Sequence, residues 1–133
     1  MKNPYAELDK FVVDGLAVRS TTSAHMQIGD MALFTRVATR YIGGEMVRTL
    51  DIGTVETQNP GNGDFTRLLN HMERLAHQNG AAVYVESILN EDLQAFLKRR
   101  GYEFSGEPLS PNATYTHERL NKKFEADDCS PNP

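Results

Sequence analysis

The sequence predicts an α/β domain of the α+β kind: a mixed, mostly antiparallel twisted sheet, two main helices in the second half, and a short N-terminal helix. Three observations predict it. Two long runs of β character, Met31 to Ile42 and Glu45 to Thr57, flank Gly43-Gly44, and glycine supplies the positive φ that a tight hairpin turn needs. Phe65, Leu68, Leu69, Met72, Leu75 and Ala76 make one apolar stripe at helical spacing. The short apolar run Ala81 to Ile88 and a second helical segment follow, so this half reads as a right-handed strand–helix–strand unit with a parallel component.

Each element has a local cause. In residues 3–12, Tyr5, Leu8, Phe11 and Val12 fall at helical spacing. Leu16 to Thr22 reads as a first strand, and Ser20-Thr21-Thr22-Ser23 favours a turn. Asp64 suits the start of the first main helix, and Gly80 closes it in a left-handed turn. Asn90 is a good N-cap for the second, Glu91-Asp92 suit the positive end of its dipole, and Lys98-Arg99-Arg100 suit the negative end before Gly101. Leu93, Phe96 and Leu97 form its inner face. Tyr102 to Phe104 and Ala113 to Leu120 read as final strands. Residues 1–120 are then one domain, and 121–133 a flexible tail.

Composition narrows the function classes. A chain of 133 residues, 39% hydrophobic and 24% charged, has the make-up of one soluble globular domain. No apolar run approaches the ~20 residues that span a bilayer, and the N-terminus lacks a signal-type apolar stretch. The single Cys129 cannot make an internal disulfide, which points to a reducing, cytoplasmic setting without a membrane. A formal charge of −4 disfavours a nucleic-acid partner. Arg36, Arg40, Arg48 and the Lys98-Arg99-Arg100 cluster read as solvated surface charge. His25, His71, His77 and His117 are dispersed; His71 and His77 miss the spacing that sets two metal ligands on one helix face and read as solvent-facing, so no metal is expected. No serine-nucleophile motif is present.

One stretch carries more. Gln58-Asn59-Pro60-Gly61-Asn62-Gly63 lies between a strand and a helix; a second register, Pro60 to Phe65, suits the helix length better. Asn90 to Tyr102 reads N-E-D-L-Q-A-F-L-K-R-R-G-Y. Together, Val55 to Tyr102 resemble the heart of the GNAT superfamily of acyl-CoA-dependent N-acetyltransferases. In that family a loop R/Q-x-x-G-x-G/A precedes a helix, a strand and a segment N-x-x-A-x-x-F-Y-x-x-x-G-F. Departures fall at Leu93, Leu97 and Tyr102. The resemblance implies a GNAT-like fold and acetyl-CoA as cofactor, with CoA as product.

The same resemblance implies roles. Gln58, Gly61, Asn62, Gly63, Phe65 and Thr66 would surround the pyrophosphate, because backbone N–H groups at a helix start bind anions and glycines admit close approach. Backbone groups of Val55 and Thr57 would hold the pantetheine arm, and Asn90 would line the cofactor. Asp64 places a carboxylate where a pyrophosphate would stand and competes for the same amides. The family often takes its base from the strand before the loop, which nominates Asp51 and Glu56; their opposite parity puts them on opposite faces unless a bulge intervenes. Leu97 occupies the place of the usual tyrosine acid. Residues 20–30 provide at most a loop or a helical turn where relatives build their acceptor helices, so an open face for a macromolecular amine, such as a protein lysine, is implied. The alternatives are a catalytically inactive binding or structural domain, including a homodimer joined through sheet edges, and a GNAT-like nucleic-acid modification protein.

Overall fold

A computed structural model describes residues 3–58 and 61–128. In chain order the elements are α1 (Ala6–Leu16), β1 (Thr22–Ile28), β2 (Met31–Ile42), β3 (Glu45–Thr57), α2 (Asp64–Asn79), β4 (Ala82–Val85), α3 (Glu91–Arg100), β5 (Glu103–Glu107), β6 (Ser110–Tyr115) and α4 (His117–Asp128). One six-stranded sheet runs β1-β2-β3-β4-β6-β5. Every pairing is antiparallel except β3 with β4. That parallel pair is joined through α2, as the strand–helix–strand reading requires.

The bounds of β2, β3, α2 and α3 match the sequence pattern. The N-terminal third does not: α1 runs on through Leu16, and the first strand is Thr22–Ile28 rather than Leu16 to Thr22. Arg48 explains part of this, since its guanidinium donates to the carbonyls of Gly15 (2.8 Å), Val18 (2.8 Å) and Arg19 (3.3 Å), the groups left over at the end of α1. The expected loop at residues 20–30 is thus an edge strand. The C-terminus differs too: residues 121–128, expected to fray, belong to α4, which is anchored by the fully buried Leu120 and by Phe124 packed on the core. Cys129 lies outside the described residues.

The helices share one face of the sheet. Leu8 and Val12 of α1, Leu68, Leu69 and Met72 of α2, Leu97 of α3 and Leu120 of α4 enter a single core with Leu33, Leu50, Ile52 and Val83. Burying such side chains is worth about 1.5–3 kcal/mol each. Within that layer sits Glu73, fully buried, which accepts from Arg100 Nε (2.7 Å), Lys123 Nζ (2.7 Å) and Tyr102 Oη (2.8 Å). It joins α2 to α3, to α4 and to the start of β5. Burial alone would raise its pKa, but these three donors outweigh burial and hold the carboxyl below its ordinary value. Among the described residues the opposite face of the sheet carries no helix.

One irregularity in β3 matters for that bare face. Phe34 pairs with Thr54 and Thr35 with Ile52, which leaves Gly53 as an extra residue in a β-bulge. Leu50 and Ile52 point into the core, and beyond the bulge it is Val55 that packs against it. The alternation therefore slips by one, and Asp51 and Glu56 come onto the same helix-free face.

Candidate active site

The parallel pair β3–β4 ends early. Its register runs from Thr49↔Ala82 to Ile52↔Val85, and the last bond across it is Glu86 N–H to the Ile52 carbonyl at 3.0 Å. Ser87 then takes a left-handed backbone (φ 47°), unusual for a residue with a Cβ. Its N–H turns to Asn112 Oδ1 (2.9 Å), and Ile88 N–H to the Pro111 carbonyl (2.8 Å). The chain thereby leaves β3 for β6, and β3 continues to Thr57 with no β4 residue paired to it. The strand expected to reach Ile88 stops at Val85 for this reason.

The parting strands bound an open cleft of about 540 Å³, walled by residues 52–57 and 85–90 and closed at one end by Gly61, Phe65 and Leu93. Of the residues nominated from sequence, Val55, Glu56, Thr57, Gly61, Phe65 and Asn90 line it. Gly63 stands at the N-cap of α2 (φ 81°), with Asn62 before it and the exposed Thr66 in the first turn. Gln58 is exposed at the end of β3, its N–H directed to the Asp30 carbonyl at 3.4 Å. Asn59 and Pro60 lie outside the described residues. Asn90 caps α3, its Oδ1 accepting from Leu93 N–H at 3.0 Å, as the sequence pattern implies.

Asp64 behaves differently from the expectation. Among the described residues no side chain caps α2. The Asp64 carboxylate instead meets Arg67 Nη2 at 2.5 Å and accepts from Thr57 Oγ1 at 3.3 Å. Arg67 also donates to the Asn62 carbonyl at 3.0 Å, so its guanidinium lies along the glycine turn. The carboxylate that threatened to occupy the amides is neutralised beside them. Sequence reading passed over Arg67, although a cation one turn into a helix, three residues after an aspartate, is itself a signal.

Asp51 is not in the cleft lining. It is fully buried, its Oδ2 held by Arg40 Nη2 at 2.5 Å and its Oδ1 by Thr49 Oγ1 at 2.7 Å. Burial pushes its pKa up, and the bonds from Arg40 and Thr49 offset that only in part. Arg40 lies over the ring of Tyr84 at 3.9 Å and reaches Glu86 at 3.1 Å; Arg36 also pairs with Glu86. These arginines are therefore components of a network on the bare face rather than solvated charge. Arg100 likewise serves Glu73. His71 is half-buried against Asp9 (2.5 Å) and stacked on Tyr5, while His77 stacks on Phe124, so neither is simply solvent-facing. Leu97, at the place of the expected tyrosine acid, is fully buried.

Among the described residues no three His, Cys, Asp or Glu side chains gather as metal ligands, and no helix is long and apolar enough to cross a membrane.

A parallel strand pair that parts into a cleft, with a glycine turn leading from the first strand into a helix, gives this chain a GNAT-like fold. Two groups of solved structures carry the likeness. The chain is similar to one in the structure of the KacTA–DNA complex, at 19% identity and a TM-score of 0.58 over 91% of this chain and 86% of that one. A tyrosine-to-phenylalanine mutant of KacT matches at 15% identity and a TM-score of 0.56, covering 78% and 74% of the two chains. A similar mutant of the toxin AtaT, solved with the C-terminus of the antitoxin AtaR and acetyl-CoA, matches at 15% identity and a TM-score of 0.52. That match covers 71% of this chain and 62% of AtaT. No protein-family model and no curated protein matches the sequence.

Proposed function

We propose that the protein transfers an acetyl group from acetyl-CoA to the amine of a macromolecular acceptor. The observation that carries this reading is the cleft between β3 and β4, which opens beside the uncapped start of α2. Main-chain amides there are oriented donors for a pyrophosphate, strengthened by the helix dipole. Among the described residues a Cβ on Gly61 would meet nothing within 4 Å, which leaves room there for an approaching ligand. Gln58, Asn62, Gly63, Phe65 and Thr66 complete the surround, and Arg67 adds a cation. Past the last bond to β4, β3 borders the cleft with Val55 and Thr57, beside which the pantetheine arm would lie. Asn90 borders the same cleft. AtaT, with acetyl-CoA in its structure, supports the cofactor assignment.

Glu56 is the base in this reading, because it is exposed and lines the cleft; the enclosed Asp51 sets the position of Arg40 instead. With Leu97 in the core, the leaving thiolate takes its proton from water. The helix-free face beside the cleft admits a large acceptor. A second reading, cofactor binding without turnover, is favoured by the same buried Leu97.

Thermal unfolding with and without acetyl-CoA is the first test. At a hundredfold excess over Kd the ligand adds about 2.7 kcal/mol of stability. An unchanged midpoint at millimolar acetyl-CoA would refute the proposal. Binding without thiol release from any amine would favour the second reading.

A further inference from the structure

Glu86 stands where β3 and β4 part, and the sequence pattern assigns it nothing. Its two oxygens have different surroundings. Oε1 receives both arginines, Arg36 through Nη1 and Arg40 through Nη2 (3.1 Å). Arg40 is itself fixed by the buried Asp51 and by the Tyr84 ring, and Arg36 lies 5.1 Å from the centre of the Phe34 ring. The carboxylate is thus anchored through one atom. Oε2, engaged by neither arginine, projects over the bulge, 3.1 Å from where a Cβ on Gly53 would stand. The Phe34 ring reaches the same point, at 2.6 Å. Only a residue without a side chain lets these two groups converge above the strand at the cleft apex. Glu86 keeps about a fifth of its side chain exposed, so a ligand can reach it (21%).

We propose that Glu86 Oε2 anchors the acceptor, with the edge of the Phe34 ring as its apolar neighbour, and that this carboxylate selects a protonated primary alkylamine arriving from the helix-free face. The inference rests on the acetyl-transfer reading. An oriented carboxylate recognises an alkylammonium by a charge-assisted hydrogen bond, and the edge of the Phe34 ring offers apolar contact to the alkyl stem, the ring itself already meeting Arg36 (5.1 Å) and His25 (4.5 Å). Glu56, lining the same cleft, adds to the negative potential there. The reaction balances as RNH3+ plus acetyl-CoA giving the acetylamide, CoA thiol and one proton. The ammonium first loses a proton, its nitrogen forms the C–N bond and gives up a second proton, the C–S bond breaks toward sulfur, and sulfur takes up one proton. The net proton leaves to solvent. Glu86, tied to two arginines, holds the amine in line; it is a positioning residue, and the proton passes to Glu56 or to water.

The test uses the full chain, acetyl-CoA, and two probes, n-butylamine and poly-L-lysine, followed by thiol release. Glu86→Gln should raise KM for either amine by an order of magnitude or more, since a hydrogen bond to a charged group is lost, while the acetyl-CoA-induced rise in melting temperature stays as in wild type. Glu86→Asp should recover part of the loss. Arg36→Gln, which leaves Oε1 held by Arg40 alone and so loosens the carboxylate, should raise the amine KM in the same direction; it keeps the inference testable should Glu86→Gln unfold the protein. An amine KM unchanged in Glu86→Gln overturns the assignment. So does a wild type that binds acetyl-CoA yet acetylates neither probe. Failure of the wild type to bind acetyl-CoA would instead sink the acetyl-transfer reading itself.

Discussion

The ring of Phe34 lies across Gly53, so close that a Cβ on residue 53 would come within 2.6 Å of it. The bulge in β3 and the placing of the Phe34 ring beside Gly53, which lines the cleft, are thus one arrangement. Gly53→Ala should displace the ring, lower stability by about 1–3 kcal/mol and weaken amine turnover. Adding Phe34→Ala should restore much of the stability but not the turnover. Denaturant midpoints and thiol-release rates on the three variants check this; additive losses in the double variant would show that the contact is not the cause.

The glycine turn makes a sharper demand. Gly61 (φ 85°) and Gly63 (φ 81°) both hold left-handed backbone. Gly61→Asp and Gly63→Asp strain that backbone and place a second carboxylate near the amides of α2. Both should abolish stabilisation by acetyl-CoA in thermal melts while the far-ultraviolet circular dichroism remains native.

Asp51 and Glu56 share a face but should fail differently. Glu56→Gln should lower kcat by about a hundredfold or more with cofactor binding retained, the usual size of a lost general base. Asp51→Asn, which removes a charge that burial disfavours and leaves Arg40 paired with Glu86 alone, should instead change kcat far less and show mainly as a shift in melting temperature. Reversed phenotypes would exchange the two roles.

Acid stability should report Glu73. Its folded pKa lies below the ordinary 4.5, so its contribution is full above that value and disappears as pH falls through the folded pKa. Asp51 has the opposite sign: its pKa is raised, so the native state takes up that proton first, and acidification toward its ordinary 3.8 favours the fold through this group. Melting temperatures between neutral and strongly acid pH should fall less steeply in Glu73→Gln than in wild type, and more steeply in Asp51→Asn.

The last helix should matter to the whole domain. Leu120 is fully buried, and Lys123 reaches Glu73. Leu120→Ala should cost about 2–5 kcal/mol. Deleting residues 117–133 should go further and expose the core, seen as binding of a hydrophobic dye and loss of a cooperative transition. A truncated chain as stable as the full one would make α4 an appendage.

Local patterns were legible wherever one short stretch contained its own cause. Gly43-Gly44 announced the hairpin, the stripe from Phe65 to Ala76 announced α2, and Asn90 with Gly101 bracketed α3. The glycine turn and its order among the elements carried the family resemblance. The C-terminal helix was misread because Leu120 and Phe124, sparse among polar neighbours, acquire meaning only when α2 lies beside them. The extension of α1 was missed because its end is satisfied by Arg48, a residue on another strand.

Sequence by itself determined the element types, the hairpin, the parallel unit and the place of the glycine turn, because these follow from periodicity and from backbone freedom within a few residues. Tertiary structure alone decided which carboxylates face the cleft. One extra residue at Gly53 reversed the parity of β3, and Ser87 turned β4 away from it. Arginines on β2 then enclosed Asp51 and left one oxygen of Glu86 turned toward the opening. Such contacts join residues tens of positions apart, and charge pairing across strands depends on register, which no local pattern contains.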